Sequence, residues 1–196
     1  MENLLARHTG ARPSCAQIRR LTAEQVGAFG LAPDVSLALK ASLAICETLQ
    51  QQIAILEQRL TECVKLSADY RLLKTVPGIG EILATVIMLE TGTVARFAGV
   101  GQFSSYCRCV DSVRQSNGRK KGEGNTRNGN AYLAWAFIEA ANFALRQCAP
   151  ARRFYERKQR TTNRIVALKA VAHKLARACY YMLREQQPFD VTRCFA

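Results

Sequence analysis

Between Val35 and Cys63 the seam positions advance by four and three in strict alternation: Val35, Leu39, Ser42, Cys46, Leu49, Ile53, Leu56, Leu60 and Cys63. An apolar period of about 3.5 residues belongs to a helix that packs along a single seam, whereas a half-buried strand alternates every second residue. The spacing predicts one long, coiled-coil-like helix over 35–66, with Ser42 and Cys46 as weak points and glutamines 50–52 and 58 on its outer face. Such a seam needs a partner helix, in the same chain or in a second copy.

The rest of the chain also reads as helices. Residues 1–19 are polar and basic and read as a loosely held lead-in. Thr22 and Gln25 form a capping-box pair that opens a short helix. After the long helix comes L-L-K-T-V-P-G-I-G, residues 72–80, which has the pattern of a helix-hairpin-helix. Pro77 stops one helix, and the glycines allow a tight turn with exposed amides before the next. Amides of Gly78, Ile79 and Gly80 at that helix start are therefore candidate phosphate ligands, holding a nucleic-acid backbone without reading bases. A connector over 93–101, a short helix over 102–107 and an extended piece over 109–113 follow. Asn128 or Asn130 caps a helix that runs to about Gln147, with Trp135 and Phe143 as core candidates. Pro150 breaks the chain before a short basic helix over 151–160. A last helix, over 163–186, carries a seam of Ile165, Leu168, Ala172, Leu175, Cys179 and Met182, and presents Lys169, His173 and Arg177 on another face. The expected fold is mainly α: residues 1–34 as lead-in and short helix, 35–66 as the long helix, 67–190 as a helical bundle with the hairpin motif, and 191–196 as tail.

One stretch fits no helix. Val113 to Asn130 reads V-R-Q-S-N-G-R-K-K-G-E-G-N-T-R-N-G-N, with four glycines, four asparagines, five Lys or Arg and one acid. Nothing in it recurs with a helical or strand period, so it reads as a basic, glycine-rich loop displayed by a helical scaffold. Ser116, standing before Asn-Gly, is either its candidate nucleophile, since a tight turn there holds Oγ outward, or a residue that only shapes that turn. Arg114, Arg119, Lys120, Lys121 and Arg127 are candidate phosphate contacts.

Charge supports a polyanionic partner. The 196 residues carry 28 Lys and Arg against 15 Asp and Glu, a net charge of +13. Nucleic acid fits such a chain better than an acidic membrane surface. The eight cysteines lack the spacing of a zinc site, since Cys107 and Cys109 are separated by one residue and have no second pair nearby. They read as small buried groups in a reducing compartment. No signal peptide or membrane span is evident, so a cytoplasmic, nucleoid-associated protein is expected. Two histidines and scattered acids make neither a Ser-His-Asp arrangement nor a two-metal cluster, and His173 reads as structural.

The string at 72–80, R-F at 96–97, the Ser116 loop, N-G-N at 128–130 and A-L-K-A-V-A-H-K-L-A-R at 167–177 together resemble the C-terminal domain of insertion-sequence transposases of the IS-one-ten type, in the IS-eleven-eleven-like branch. The resemblance covers nearly the whole chain and includes the coiled-coil connector. It implies a DNA recombinase in which a helical domain like this one supplies a serine, here Ser116, that becomes linked to a DNA phosphate. It further implies an N-terminal RuvC-like domain with an acidic tetrad binding Mg, a structured guide RNA, and assembly into homo-oligomers. Asn117-Gly118 follows the serine where relatives often have Gly directly. No acidic tetrad precedes Met1, so a truncated transposase that is inactive alone is expected, with no cofactor in this chain. The alternative is a non-catalytic helix-hairpin-helix module that grips DNA backbone.

Overall fold

The computed structural model describes residues 2–10, 12–65, 67–110, 113–123 and 128–195. It is mainly helical and divides into two compact units, Met1–Glu62 and Cys63–Ala196.

The first unit holds helices α1 (Glu2–Thr9), α2 (Cys15–Arg19), α3 (Ala23–Ala28) and most of α4 (Pro33–Lys65). The lead-in is thus more ordered than its polarity suggests. Ser14 and Gln17 form a reciprocal capping box on α2, and Thr22 and Gln25 form another on α3. Each box satisfies two amides that a helix start leaves bare. Leu5 of α1, Val26 of α3, and Leu39 and Leu43 of α4 close a small core. Beyond Leu43 several seam positions of α4 are exposed among the described residues: Ile53 is 52% exposed and Leu56 63%. Leu49 and Leu60 are exposed as well. The helix is where the heptads place it, but the expectation that its seam is buried is not met by the single chain.

The second unit contains α5 (Ala68–Leu73), α6 (Glu81–Thr91), a 3-10 turn (Val94–Arg96), α7 (Val100–Tyr106), strands β1 (Val113–Ser116) and β2 (Arg119–Glu123), α8 (Ala131–Gln147), α9 (Ala149–Gln159), α10 (Arg164–Glu185) and α11 (Val191–Phe195). Its centre is α8 against α10. Ala136, Ala140, Ala141 and Ala144 line the buried face of α8, and Val171, Ala172, Leu175, Ala176 and Cys179 that of α10. Small side chains let neighbouring backbones come close, and the larger Phe103, Phe137 and Tyr180 fill the space that remains. Phe103 meets Phe137 edge-on, with ring centres 6.3 Å apart.

Several expectations are corrected here. Pro150 opens α9 rather than breaking the chain, because a first-turn proline lacks only an amide that would be unpaired anyway. The tail forms α11. Asp190 Oδ1 accepts the Thr192 and Arg193 amides at its start, and Cys194 is buried. Trp135, at 48% exposure, and Phe143 are not core residues. Ile165, the first position of the α10 seam, is 77% exposed.

Candidate nucleic-acid interface

The stretch expected to be a loop contains an antiparallel β-hairpin. Asn117 and Gly118 both have positive φ, 53° and 70°. Two such residues in succession make a turn whose twist matches paired strands, and Asn-Gly is the sequence that forms it most readily. The ladder pairs Ser116 with Arg119, Gln115 with Lys120, Arg114 with Gly122 and Val113 with Glu123, with an irregularity between Arg114 and Gln115. Among the described residues a strand covers Val113–Ser116, past the expected end of the extended piece at 113. Directly opposed residues of an antiparallel pair project from the same face. The exposed Ser116 thus shares a face with the exposed Arg119 beside the turn. Arg114, Lys120 and Lys121 are placed on the two strands by their backbone, and Arg127 lies outside the described residues.

The two roots of this hairpin are joined. The Asn130 amide donates to the Tyr106 carbonyl at 2.7 Å, and Arg108 Nη2 donates to the Gly129 carbonyl at 3.0 Å. Gly129 has φ 84°, and a Cβ there would stand 2.5 Å from the Tyr106 carbonyl oxygen, so only glycine permits this closure. Asn130 also caps α8 by accepting the Leu133 amide, while its Nδ2 donates to Glu90 of α6. Arg96 lies over the rings of Phe97 and Tyr106, 4.6 and 4.8 Å from their centres, and donates to the Glu90 carbonyl. Hydrogen bonds from Asn130 and then Arg96 to the Tyr106 hydroxyl hold its pKa below the usual tyrosine range. The motifs R-F and N-G-N thus meet at one place, the base of the serine-bearing hairpin. Glu90, Tyr106 and Arg108 complete it without any signal in the sequence.

The P-G-I-G turn is built differently from the expectation. Gly78, with φ 89°, is pressed against α8, and its amide donates to Gln147 Oε1 at 3.0 Å. The Ile79 amide donates to the Val76 carbonyl. Two of the three candidate phosphate amides are therefore already occupied by the protein. Gly80 differs, with φ −85° and open space around its Cα. It stands at the start of α6, which has no side-chain cap.

Residues 70–156, which span this turn and the whole hairpin, match the family model described as the transposase IS116/IS110/IS902 family. The domain over these residues belongs to that transposase family. The chain is 28% identical over 145 residues to a probable family 20 transposase of Pseudomonas aeruginosa, covering 71% of this chain and 43% of that protein. It is 23% identical over 163 residues to the transposase for insertion sequence element IS1111A of Coxiella burnetii, covering 82% of this chain and 42% of that protein. The chain spans less than half the length of these curated relatives.

Elsewhere in the second unit, His173 is half-buried on α10, and burial together with the charge of Arg177 lowers its pKa. It faces a cavity of about 430 Å³ between α10 and α11, far along the chain from the hairpin and shared with Glu185 and Asp190. Among the described residues no three His, Cys, Asp or Glu side chains converge as a metal site would require. Among them, too, no helix is long and apolar enough to cross a membrane. All cysteines are free, and Cys107, Cys109, Cys148, Cys179 and Cys194 are buried.

Proposed function

We propose that this chain is the serine-bearing, DNA-handling part of a transposase, with Ser116 as the nucleophile that cuts and rejoins a DNA strand. The carrying observation is the placement of Ser116 at the end of β1, exposed beside a tight Asn-Gly turn and directly across from Arg119, inside the family-matched region. In the reaction, Oγ forms a bond to phosphorus while the bond from phosphorus to one deoxyribose oxygen breaks. That oxygen leaves as a hydroxyl, taking up the proton that Oγ gives up. Arg119, and the neighbouring Arg114, Lys120 and Lys121 of the same ribbon, counter charge that grows on the phosphate oxygens. The reverse attack by a deoxyribose hydroxyl rejoins a strand and frees the serine. The net charge of +13 supports a nucleic-acid partner. A structured guide RNA belongs to the same proposal by family resemblance. The exposed seam of α4 supports assembly with a second copy.

The test places this chain in a full-length transposase of the family and substitutes Ser116→Ala. Strand cleavage and the covalent protein–DNA adduct should both vanish, while DNA affinity stays within about twofold, the loss of one exposed hydroxyl being small. Cleavage at the parent rate would rule out Ser116 as nucleophile.

A further inference from the structure

A groove of about 860 Å³ runs between the P-G-I-G turn, the first turn of α6 and the outer side of α8. Trp135, Glu139 and Phe143 line it from α8. They follow one another at steps of four residues, so they share one face of the helix, roughly 6 Å apart along its axis. Ile82 of α6 faces them across the groove. Ile82, Trp135 and Phe143 are thus large apolar side chains left exposed together. The core does not account for them, because the buried face of α8 is carried by Ala136, Ala140, Ala141 and Ala144. Exposed apolar residues gathered in one place and rimmed by polar groups mark a binding surface.

Two features narrow the occupant. The first is the aromatic platform. Arg146 lies over Phe143, 5.8 Å from the ring centre. Trp135 has no ring or cation against it among the described residues, which leaves its indole open for stacking. Every nucleobase has a π-face that stacks on such a ring, whereas a duplex hides both faces of each base. The second feature is a carboxylate. Glu139 is half-buried between the two aromatic residues, with neither an ion pair nor a side-chain hydrogen bond among the described residues. Glu81, in the same groove, is met by Lys74 at 3.8 Å. In a chain of net charge +13, a carboxylate repels a phosphate but accepts from an amino group. The groove is suited to the edge and face of a base rather than to the backbone.

We propose that this groove holds one unpaired base of a DNA strand, stacked on Trp135, with Glu139 accepting a hydrogen bond from the amino group of a cytosine. The site rests on the reading of this chain as the DNA-handling part of a transposase and deepens it by adding a base contact. Exchanging a strand between two duplexes requires its bases to unpair. A groove that holds one of them keeps the strand from re-pairing.

The experiment uses the full chain carrying Ser116→Ala, so that binding is read without cleavage and does not depend on whether Ser116 is a nucleophile. Labelled single-stranded oligo(dC) and oligo(dT) are compared by fluorescence anisotropy at matched salt, with a thermal melt of every variant. Cytosine offers an amino donor where thymine carries a carbonyl oxygen. The chain should therefore bind oligo(dC) severalfold more tightly. Trp135→Ala should weaken both by about tenfold, and Trp135→Phe should recover most of the loss, since stacking asks only for a ring. Trp135 is exposed, so both variants should melt with the parent. Glu139→Gln should remove the preference for oligo(dC), because an amide donates to the thymine oxygen as readily as it accepts from the cytosine amino group. Failure of the parent chain to bind either oligonucleotide would overturn the DNA-handling reading and this site with it. Binding that Trp135→Ala leaves unchanged, an equal loss for Tyr132→Ala outside the groove, or a preference that survives Glu139→Gln would overturn the site alone. Loss of self-association in Trp135→Ala with oligonucleotide binding intact would assign the groove to a second copy instead. An effect confined to RNA of the same sequence would overturn DNA as its occupant.

Discussion

Gly78→Ala is expected to unfold the helix-hairpin-helix rather than to weaken DNA binding selectively. A Cβ at this position would stand 2.3 Å from the Ala140 carbonyl oxygen, 2.6 Å from the Ala144 nitrogen and 3.2 Å from the Ala144 Cα. All three are backbone atoms of α8, which cannot swing aside as a side chain does. The residue also has φ 89°, where a side chain costs about 1–2 kcal/mol. Relief requires the turn to back away from α8. That motion stretches the bond from the Gly78 amide to Gln147, a loss of about 1 kcal/mol, and opens tightly packed helices, typically about 1–3 kcal/mol more. The total is roughly 3–6 kcal/mol against a whole-domain stability of about 5–15 kcal/mol. For a chain of this size the melting temperature should fall by about 10 °C or more.

The control is two residues away. Gly80 has an ordinary φ of −85° and nothing within 4 Å of its would-be Cβ, so Gly80→Ala should change stability by no more than about 0.5 kcal/mol. Circular dichroism melts and urea titrations of both variants measure the difference. A Gly78→Ala protein that melts within a degree or two of the parent would refute the close-packing argument. The pair also reassigns the phosphate test. A DNA-binding defect in a Gly78 variant is uninformative because the fold is lost, whereas a sequence-independent defect in folded Gly80→Val would implicate the amides at the start of α6.

Three other outcomes are expected. Ile53→Asp should abolish self-association in sedimentation without shifting the melt, since Ile53 is half-exposed in the single chain; a parent that sediments as a monomer at all concentrations would refute the seam as a self-contact. A thiol reagent should label the exposed Cys15 and Cys63 quickly, Cys46 more slowly, and the five buried cysteines only on unfolding, with Cys109 and Cys194 each pushed up to about 12 chiefly by burial; fast labelling of Cys109 or Cys194 in the folded protein would contradict their packing. His173 has a folded pKa below its ordinary 6.5, so its contribution to stability is complete above that pH and is lost as the pH falls through 6.5 and below; His173→Gln should flatten this limb of a urea-midpoint profile, and identical profiles would refute the assignment.

What was legible in the sequence was whatever local rules govern. The capping box at Thr22, the long helix and the cap of α8, at Asn130 of the two asparagines expected, follow from nearest-neighbour chemistry. The hairpin was visible in Asn117-Gly118 but was obscured by flanking glycines and charges, since the strands carry no alternating apolar face. A two-stranded ribbon needs none, because its register comes from the turn. The role of Gly78 was hidden for a different reason. A glycine that serves a turn and a glycine that admits a helix look alike in one dimension, and only the approach of Ala140 and Ala144 separates them. Arg108 gave no signal, because its position depends on Gly129, twenty-one residues away.

The distribution of backbone strain bears on how such a domain divides stability from function. Among the described residues, Arg108, Asn117 and Gln186 are the non-glycine residues with positive φ. Gln186 ends α10 and is a helix cap in the left-handed conformation. The other two sit at the root and at the tip of the serine-bearing hairpin. A lone two-stranded ribbon is marginally stable in water, so its geometry must be imposed from its ends. At the tip, Asn-Gly fixes the register and places Ser116 across from Arg119. At the root, the Asn130 amide, Gly129 and the Arg108 guanidinium hold the two chains together, and Asn130 ties them to Glu90. The alanine-lined packing of α8 on α10 supplies the stability. Substitutions along the ribbon should therefore alter chemistry with little effect on melting, and those in α8 the reverse. The root is where the two couple: Gly129→Ala would push against the Tyr106 carbonyl, displacing the serine and loosening the α8 cap in one step.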